Sequence, residues 1–420
     1  MANSILSKSA VKIVAQPSDA YVTPTKNVYT EEKVLPKSEY TKIDVKPSSL
    51  EGGMDSEVFS ADFAKLPIEI KSSLQTDIAP IETLLDICSL ASTPINEAFV
   101  LPLIVASGSN IDVIFADADP ATVNGNIWVD TANLTVQVQS ATGLIDVSIE
   151  VRQLFLKYVT DGTYANGSTV TITNGATTPA TPASGDIWIN GSTVQSYDGS
   201  AWNALDTQIG TRRYPTLSQT KKASIDVVMK RLTFQGVGAV SNLTLTGEID
   251  GRVNSTFSCS AGLNKTIELD ATAPDNSLSL ATANEFIVLG LATVLTEDGN
   301  SIGLKSFELN MGNVISQDKS SESNGFDITD FAPTLKIGAR MTKDTKAGFD
   351  DLIASKAFKM ELLMVNLAKK PKYRIVIPKA TYNEATSLED SEGRLNCTKN
   401  YRCRTINGAD NFYLDYFLDI

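Results

Sequence analysis

The chain has 420 residues, 42% of them hydrophobic, with 36 Lys and Arg against 49 Asp and Glu, no histidine and a formal net charge of −13. That length holds two or three domains with a substantial core, and the acidic balance argues against a clamp that grips nucleic acid by neutralising phosphates, though not against a channel it passes through. Without imidazole there is no Ser-His-Asp or Cys-His nucleophile system and no histidine-ligated zinc or copper, so an enzyme here would rest on carboxylates or lysine.

Residues 1–52 are polar, with scattered Pro, Lys and Tyr, and read as an extended N-terminal arm. The opening residues lack a basic stretch followed by an apolar one, and the longest apolar run, 98–106, is far too short to span a bilayer and contains Pro102. The expectation is a product without a membrane segment that stays in the cytoplasm where it is made. Residues 62–70 alternate like a strand. Pro80 then precedes Ile81, Leu84, Leu85 and Cys88, whose spacing gives one apolar face of a helix over 80–91.

From 106 to 212 charge thins out, and all three tryptophans appear, Trp128, Trp188 and Trp202. Gly125-Asn126-Ile127-Trp128-Val129-Asp130 and then Thr135-Val136-Gln137 match Gly185-Asp186-Ile187-Trp188-Ile189-Asn190 and then Thr193-Val194-Gln195. These are two short β units about 60 residues apart. They predict a small inserted all-β domain at 106–212, flanked by a discontinuous domain of 53–105 and 213–420. Each tryptophan reads as the anchor of a tiny core or, if exposed, as a surface for a sugar face.

Beyond 213 the expected strands lie at 224–231, 242–250, 252–260, 284–293, 304–311 and 333–341. A helix at 346–356, capped by Asp344 or Thr345, precedes strands at 358–366, 372–379, 394–406 and 411–418. The fold class is mainly β: a sandwich or barrel with one or two short flanking helices. The clearest pattern is at 243–260. Leu243, Leu245, Gly247 and Ile249 alternate with Thr244, Thr246, Glu248 and Asp250; Asp250-Gly251 suits a type I′ turn; the return sets Val253, Phe257 and Cys259 against Asn254, Thr256, Ser258 and Ser260. One face is core. The other is small, polar and uncharged to acidic, either an ordinary solvent face or a surface made to avoid sticking.

Four cysteines, Cys88, Cys259, Cys397 and Cys403, contain no C-x-x-C. Cys397 and Cys403, six residues apart on one side of a strand, would lie about 20 Å apart, too far for a disulfide, and buried free thiols are expected. No phosphate-binding, dinucleotide, nucleophile-elbow or zincin motif occurs. Asp350-Asp351 and Glu389-Asp390 read as a helix start and a polar loop, and Asp327 with Asp330 lacks the other oxygens a calcium loop needs. No catalytic residue, cofactor or metal is assigned.

The element order carries a resemblance. Ser306-Phe307-Glu308-Leu309-Asn310-Met311-Gly312-Asn313, then Ile328-Thr329-Asp330-Phe331-Ala332-Pro333-Thr334, resembles the tail tube (major tail) proteins of long-tailed bacteriophages. So do Tyr373-Arg374-Ile375-Val376-Ile377-Pro378-Lys379-Ala380, Glu392-Gly393-Arg394-Leu395 and Gly408-Ala409-Asp410-Asn411. Leu232-Thr233-Phe234-Gln235-Gly236-Val237-Gly238, ahead of the polar-faced hairpin, resembles that family's Gly turn before its central strands. The resemblance covers about 50–105 and 213–420. It implies a structural virion protein, not an enzyme, that self-assembles into rings of six subunits or pseudo-sixfold symmetry. Stacked rings would make a hollow tail tube, meeting other tail proteins at its ends, through which DNA transits without specific binding. Thr244, Thr246, Glu248, Asp250 and Thr256 would then be candidates for the lumen, where negative potential keeps DNA sliding. The 106–212 piece departs from a minimal tube protein, resembles small modules of phage tail fibres and decorations, and would sit outside the tube. The alternative is a tail fibre or adhesin whose 106–212 module, through Trp128, Trp188 and Trp202, binds a cell-surface receptor or glycan. A carboxylate glycosidase, a third class, would need two acids in an aromatic-lined cleft.

Overall fold

The computed structural model describes residues 10–16, 20–28, 30, 34, 65–120, 124–217, 221–229, 232–268, 285–290, 292–317, 325–340, 356–384, 387–391, 394–408 and 410–419. It is mainly β with several sheets, and no closed barrel forms among the described residues. The chain divides into two compact units, one of Met1–Ala91 with Arg213–Leu414 and one of Ser92–Arg212 with Asp415–Ile420. The expected helix at 346–356, its caps and Asp350-Asp351 lie outside the described residues apart from Lys356.

The first unit is organised around one long hairpin, strands Leu232–Glu248 and Asn254–Glu268. One edge of the Leu232–Glu248 strand is paired with Asn254–Glu268. Its other edge is shared: Thr233–Ala239 pairs with Lys222–Val228, and Thr244–Glu248 pairs with Leu304–Asn310. The register with Asn254–Glu268 shifts at Gln235/Gly236 and at Val237/Val240, and Gly238 takes φ +60°, so bulges lie just ahead of the hand-over between partners at 240–243. The glycines expected to form a turn therefore sit inside a continuous strand.

Outside the hairpin, Lys65–Ser73 pairs with Asn254–Gly262, Leu304–Asn310 with Thr334–Arg340, and Thr334–Arg340 with Arg394–Arg404. Ala10–Gln16 pairs along its whole length with Lys222–Val228, so the region expected as an extended arm contributes a strand. The expected strand at 284–293 is two isolated bridges, Gln75 with Phe286 and Arg252 with Val288. Glu389-Asp390 lies in strand Ser387–Ser391 rather than a loop. In place of the helix expected over 80–91 the chain makes a five-residue helix, Glu82–Asp86, whose Leu84 and Leu85 are fully buried. All four cysteines are buried free thiols.

Several buried charges are paired. Arg213, 2% exposed, reaches Asp86 at 2.7 Å and Glu82 at 3.4 Å. Glu297 accepts from Lys399 at 3.0 Å and from the Tyr401 hydroxyl at 2.9 Å. Burial works to lower the Lys399 ammonium, but the facing Glu297 wins and holds it above the usual lysine value. The Tyr21 hydroxyl meets both oxygens of Asp226 at 3.0 Å, pinning the segment after the first strand to Lys222–Val228.

Among its described residues the second unit contains an eight-stranded sheet and three helical pieces, Glu97–Val100, Leu101–Leu103 and Ile149–Thr160. In spatial order its strands are Trp202–Ala204, Thr193–Tyr197, Ile187–Asn190, Thr169–Asn174, Ser109–Ala116, Ile127–Asp130, Thr135–Ser140 and Gly143–Asp146. The two central strands are antiparallel, and each is followed outward by one parallel and two antiparallel neighbours. The duplicated sequence thus builds two copies related by a pseudo-dyad at the sheet centre. Helix Ile149–Thr160 places Val151, Leu154, Phe155 and Tyr158 into the core with Val113, Phe115, Ile127 and Val129. The expectation of an all-β module is corrected: those positions, spaced i, i+3, i+4 and i+7, make one helical face. Glu97, fully buried, accepts from the Tyr158 hydroxyl at 2.9 Å and the Thr207 N–H at 2.7 Å. Arg212 makes a two-pronged contact with fully buried Asp415 at 2.7 and 2.8 Å.

Two outcomes follow for stability. Gly312 takes φ +62°, and a Cβ there would lie 2.4 Å from the Ala332 carbonyl oxygen. Gly312→Ala combines left-handed strain with a backbone clash and is expected to cost about 3 kcal/mol, read by urea unfolding. Asp226 is the pH-sensitive group: burial pushes its carboxyl up to about 6, against the opposing Tyr21 hydrogen bond and Lys12. With the folded value above the unfolded one, the protonated group favours the fold at low pH, and that contribution is lost as pH rises from about 4 to about 6. Asp226→Asn should flatten this loss, so the melting-temperature difference, variant minus wild type, grows between pH 4 and pH 7.

Candidate functional site

The polar face predicted at the hairpin extends across six strands. Residues directly opposite one another in antiparallel strands share a face, so the registers assemble it row by row. One row runs Lys71, Thr256, Thr244, Asn310, Thr334, Arg402. The next runs Ser73, Asn254, Thr246, Glu308, Lys336, Asn400. A third, shorter row is Glu248, Ser306, Gly338, Thr398. No aromatic or large aliphatic side chain occurs in any of the three.

The opposite face is core. Leu243, Leu245, Phe257, Leu309 and Ile337 are each at most 1% exposed, and full burial of side chains of this size contributes about 1.5–3 kcal/mol each. That burial fixes which set faces outward, because a one-residue slip would turn every apolar side chain to solvent.

Four of the five candidate lumen residues share this face. Thr244 and Thr256 are directly opposite each other, Thr246 faces Asn254, and Glu248 faces Ser306. Asp250 is not in the ladder. It lies in the tip, where the Gly251 N–H bonds the Glu248 carbonyl at 2.9 Å and the Asp250 N–H bonds the Leu289 carbonyl at 2.7 Å. Only Asp250 has positive φ there, +63°, whereas a type I′ turn needs it at both central residues. The tip is therefore a wider loop that pairs with 287–289 instead of a two-residue turn.

The charge on this face also differs from expectation. Glu308 lies directly across from Lys336, and Lys71 and Arg402 close the ends of the Thr244 row. The rows carry mixed charge, Lys71, Lys336 and Arg402 against Glu248 and Glu308, rather than an acidic field, and the middle of the Thr244 row is hydroxyls and an amide. Thr246, Glu248, Asn254, Ser306, Glu308 and Lys336 line an open concavity of about 370 Å³. Among the described residues no group of three or more potential ligands could hold a metal ion. No helix among them is long and apolar enough to cross a membrane.

The tryptophans occupy two kinds of place. Trp128 is 8% exposed and its indole donates to the Ala116 carbonyl at 3.0 Å. Trp188 is half-buried and donates to the Gly175 carbonyl at 2.8 Å. Trp202, also half-buried, packs against Trp188 at 5.8 Å and against Tyr197 at 5.3 Å between ring centroids. Tyr197 was missed from sequence, although Asp198-Gly199 between Tyr197 and Trp202 is a hairpin signal. Asp198 builds that turn, accepting from the N–H groups of Ala201 and Ser200 and from the Ser200 hydroxyl and Asn203 amide. These bonds, led by the one from Ala201, hold its carboxyl below the usual range.

A scan against protein-family models finds no match, and no curated protein sequence aligns significantly with the chain.

The Asp198 turn generates one expectation. Asp198→Ala should weaken the near-ultraviolet circular dichroism of the Tyr197–Trp202–Trp188 cluster, while the far-ultraviolet spectrum keeps its β signature. An unchanged near-ultraviolet spectrum would show that the turn does not hold the rings.

Proposed function

We propose that this chain is a structural, self-assembling subunit of a hollow tube, of the kind built by tail tube proteins of long-tailed bacteriophages, and that DNA passes along its polar face without specific binding. The observation that carries the reading is the six-stranded face rich in small hydroxyl and amide side chains, backed by a largely apolar core. Such a surface offers a polyanion neither aromatic platforms to stack on nor a basic stripe to neutralise phosphates. Its mixed charge, with Glu308 set directly against Lys336, supports sliding through lack of grip, in place of the repulsive acidic lumen expected from the hairpin under the tail-tube resemblance. A ring of six or pseudo-sixfold subunits, stacked, would join these faces into a lumen, and the virion tail would be its location.

The second reading, a tail fibre or adhesin, is favoured by a separate observation, the half-buried ring cluster of Trp188, Tyr197 and Trp202. The two readings part on assembly. Negative-stain electron microscopy of the purified chain at rising concentration is expected to show rings or hollow tubes with a lumen wide enough for duplex DNA, about 20 Å. A gel-shift titration at 150 mM salt is expected to show no retained duplex. Monomers or rods without a lumen at every concentration would overturn the tube, and tight duplex binding would overturn passage without grip.

A further inference from the structure

The pseudo-symmetric sheet contains its own control. Trp128 and Trp188 are equivalent, each facing a glutamine on the next strand, Gln137 or Gln195, and each donating its indole N–H to the end of the central strand. One strand further out the copies diverge. The first sets Gln139 opposite Leu144, whereas the second sets Tyr197 opposite Trp202. The backbone is held alike in both, by Gly125 N–H to Gln139 carbonyl at 2.8 Å and Gly185 N–H to Tyr197 carbonyl at 2.7 Å. The fold closes this ladder without aromatic rings, so it does not demand the pair in the second copy.

That pair lies on the face away from the core. Ile187, Ile189 and Val194 point inward and are at most 4% exposed, while Trp188, Gln195, Tyr197 and Trp202 share the outward face. The rings are tilted to one another by 51° and 59°, so they do not stack face to face. Thr173, opposite Trp188, and Gln195 supply hydroxyl and amide groups beside it. None of the eight strands contains a lysine or arginine.

We propose that Tyr197 and Trp202, with Trp188, Gln195 and Thr173, form a binding platform for a neutral saccharide. The positively polarised C–H face of a pyranose ring lies against the electron-rich ring faces, and its hydroxyls exchange hydrogen bonds with Gln195 and Thr173. The absence of basic side chains from the eight strands removes the partner that a phosphate, sulfate or sialic acid carboxylate needs, which argues against an anionic ligand. This assignment rests on the reading of the ring cluster as a ligand surface and stands whether or not the chain forms tubes.

The test is saturation-transfer-difference NMR on the full chain with neutral hexasaccharides of β-1,4-glucose, α-1,4-glucose and β-1,4-N-acetylglucosamine, with sialyllactose as the anionic comparison. At least one neutral oligomer is expected to receive transfer, with a dissociation constant on the order of 1 mM. Tyr197→Gln with Trp202→Leu installs the residues of the first copy, and is expected to weaken binding by about tenfold or more without lowering the melting temperature. If that variant melts lower, Gln195→Ala is the second measurement, expected to weaken the same sugar. No transfer to any neutral oligomer, unchanged binding in the folded variants, or preference for sialyllactose would each overturn the proposal.

Discussion

Everything in the first unit depends on one strand having two partners on the same edge. Leu232–Glu248 is 17 residues long, gives its first half to Lys222–Val228 and its second half to Leu304–Asn310, and keeps Asn254–Glu268 along its other side. The partner change falls at 240–243, just after the bulges at Gly236 to Val240, which bend the strand and increase its twist. The N-terminal strand reaches the fold through the first partner. The six-stranded polar face reaches it through the second.

Period-two alternation explains why so much of that face was legible. Leu243, Leu245 and Phe257 against Thr244, Thr246 and Thr256 fixed inside and outside before any partner was known, because burial punishes a slip of one residue. The extent of the face was not legible, since rows such as Thr246–Glu308–Lys336–Asn400 join residues over 150 positions apart and exist only through register. For the same reason its charge was misjudged. Glu248 and Asp250 look acidic in sequence, and only pairing sets Glu308 against Lys336 and removes Asp250 to the tip. The bulge was hidden too: a glycine in an apolar run reads equally as a turn, and tertiary partners decide between the two.

In the second unit the repeated Gly-Asx-Ile-Trp strings were visible, but each covers only the strand after the crossover and its return. The central strands Ser109–Ala116 and Thr169–Asn174, which bring the copies together, share little sequence. Helix Ile149–Thr160 carried a plain signal in Val151, Leu154, Phe155 and Tyr158, and was obscured by the Thr- and Gly-rich composition around it. The ring cluster shows the same limit. Trp188 and Trp202 were visible as residues, whereas their meeting with Tyr197 depends on a turn built by Asp198.

The pairing of Ala10–Gln16 with Lys222–Val228 has a consequence in time as well as space. Translation delivers the first of these strands about 200 residues before its partner, and at about 5–20 residues per second that is roughly 10–40 s. In that interval the ribosome completes nearly all of the second unit, Ser92–Arg212, whose eight strands pair only among themselves. The amino-terminal strand must wait for this partner while the eight-stranded sheet of the second unit, though not the Asp415–Ile420 segment whose Phe417 joins that unit's core, is already made. The strand made first thus receives this partner only after a sheet encoded later has all of its strands.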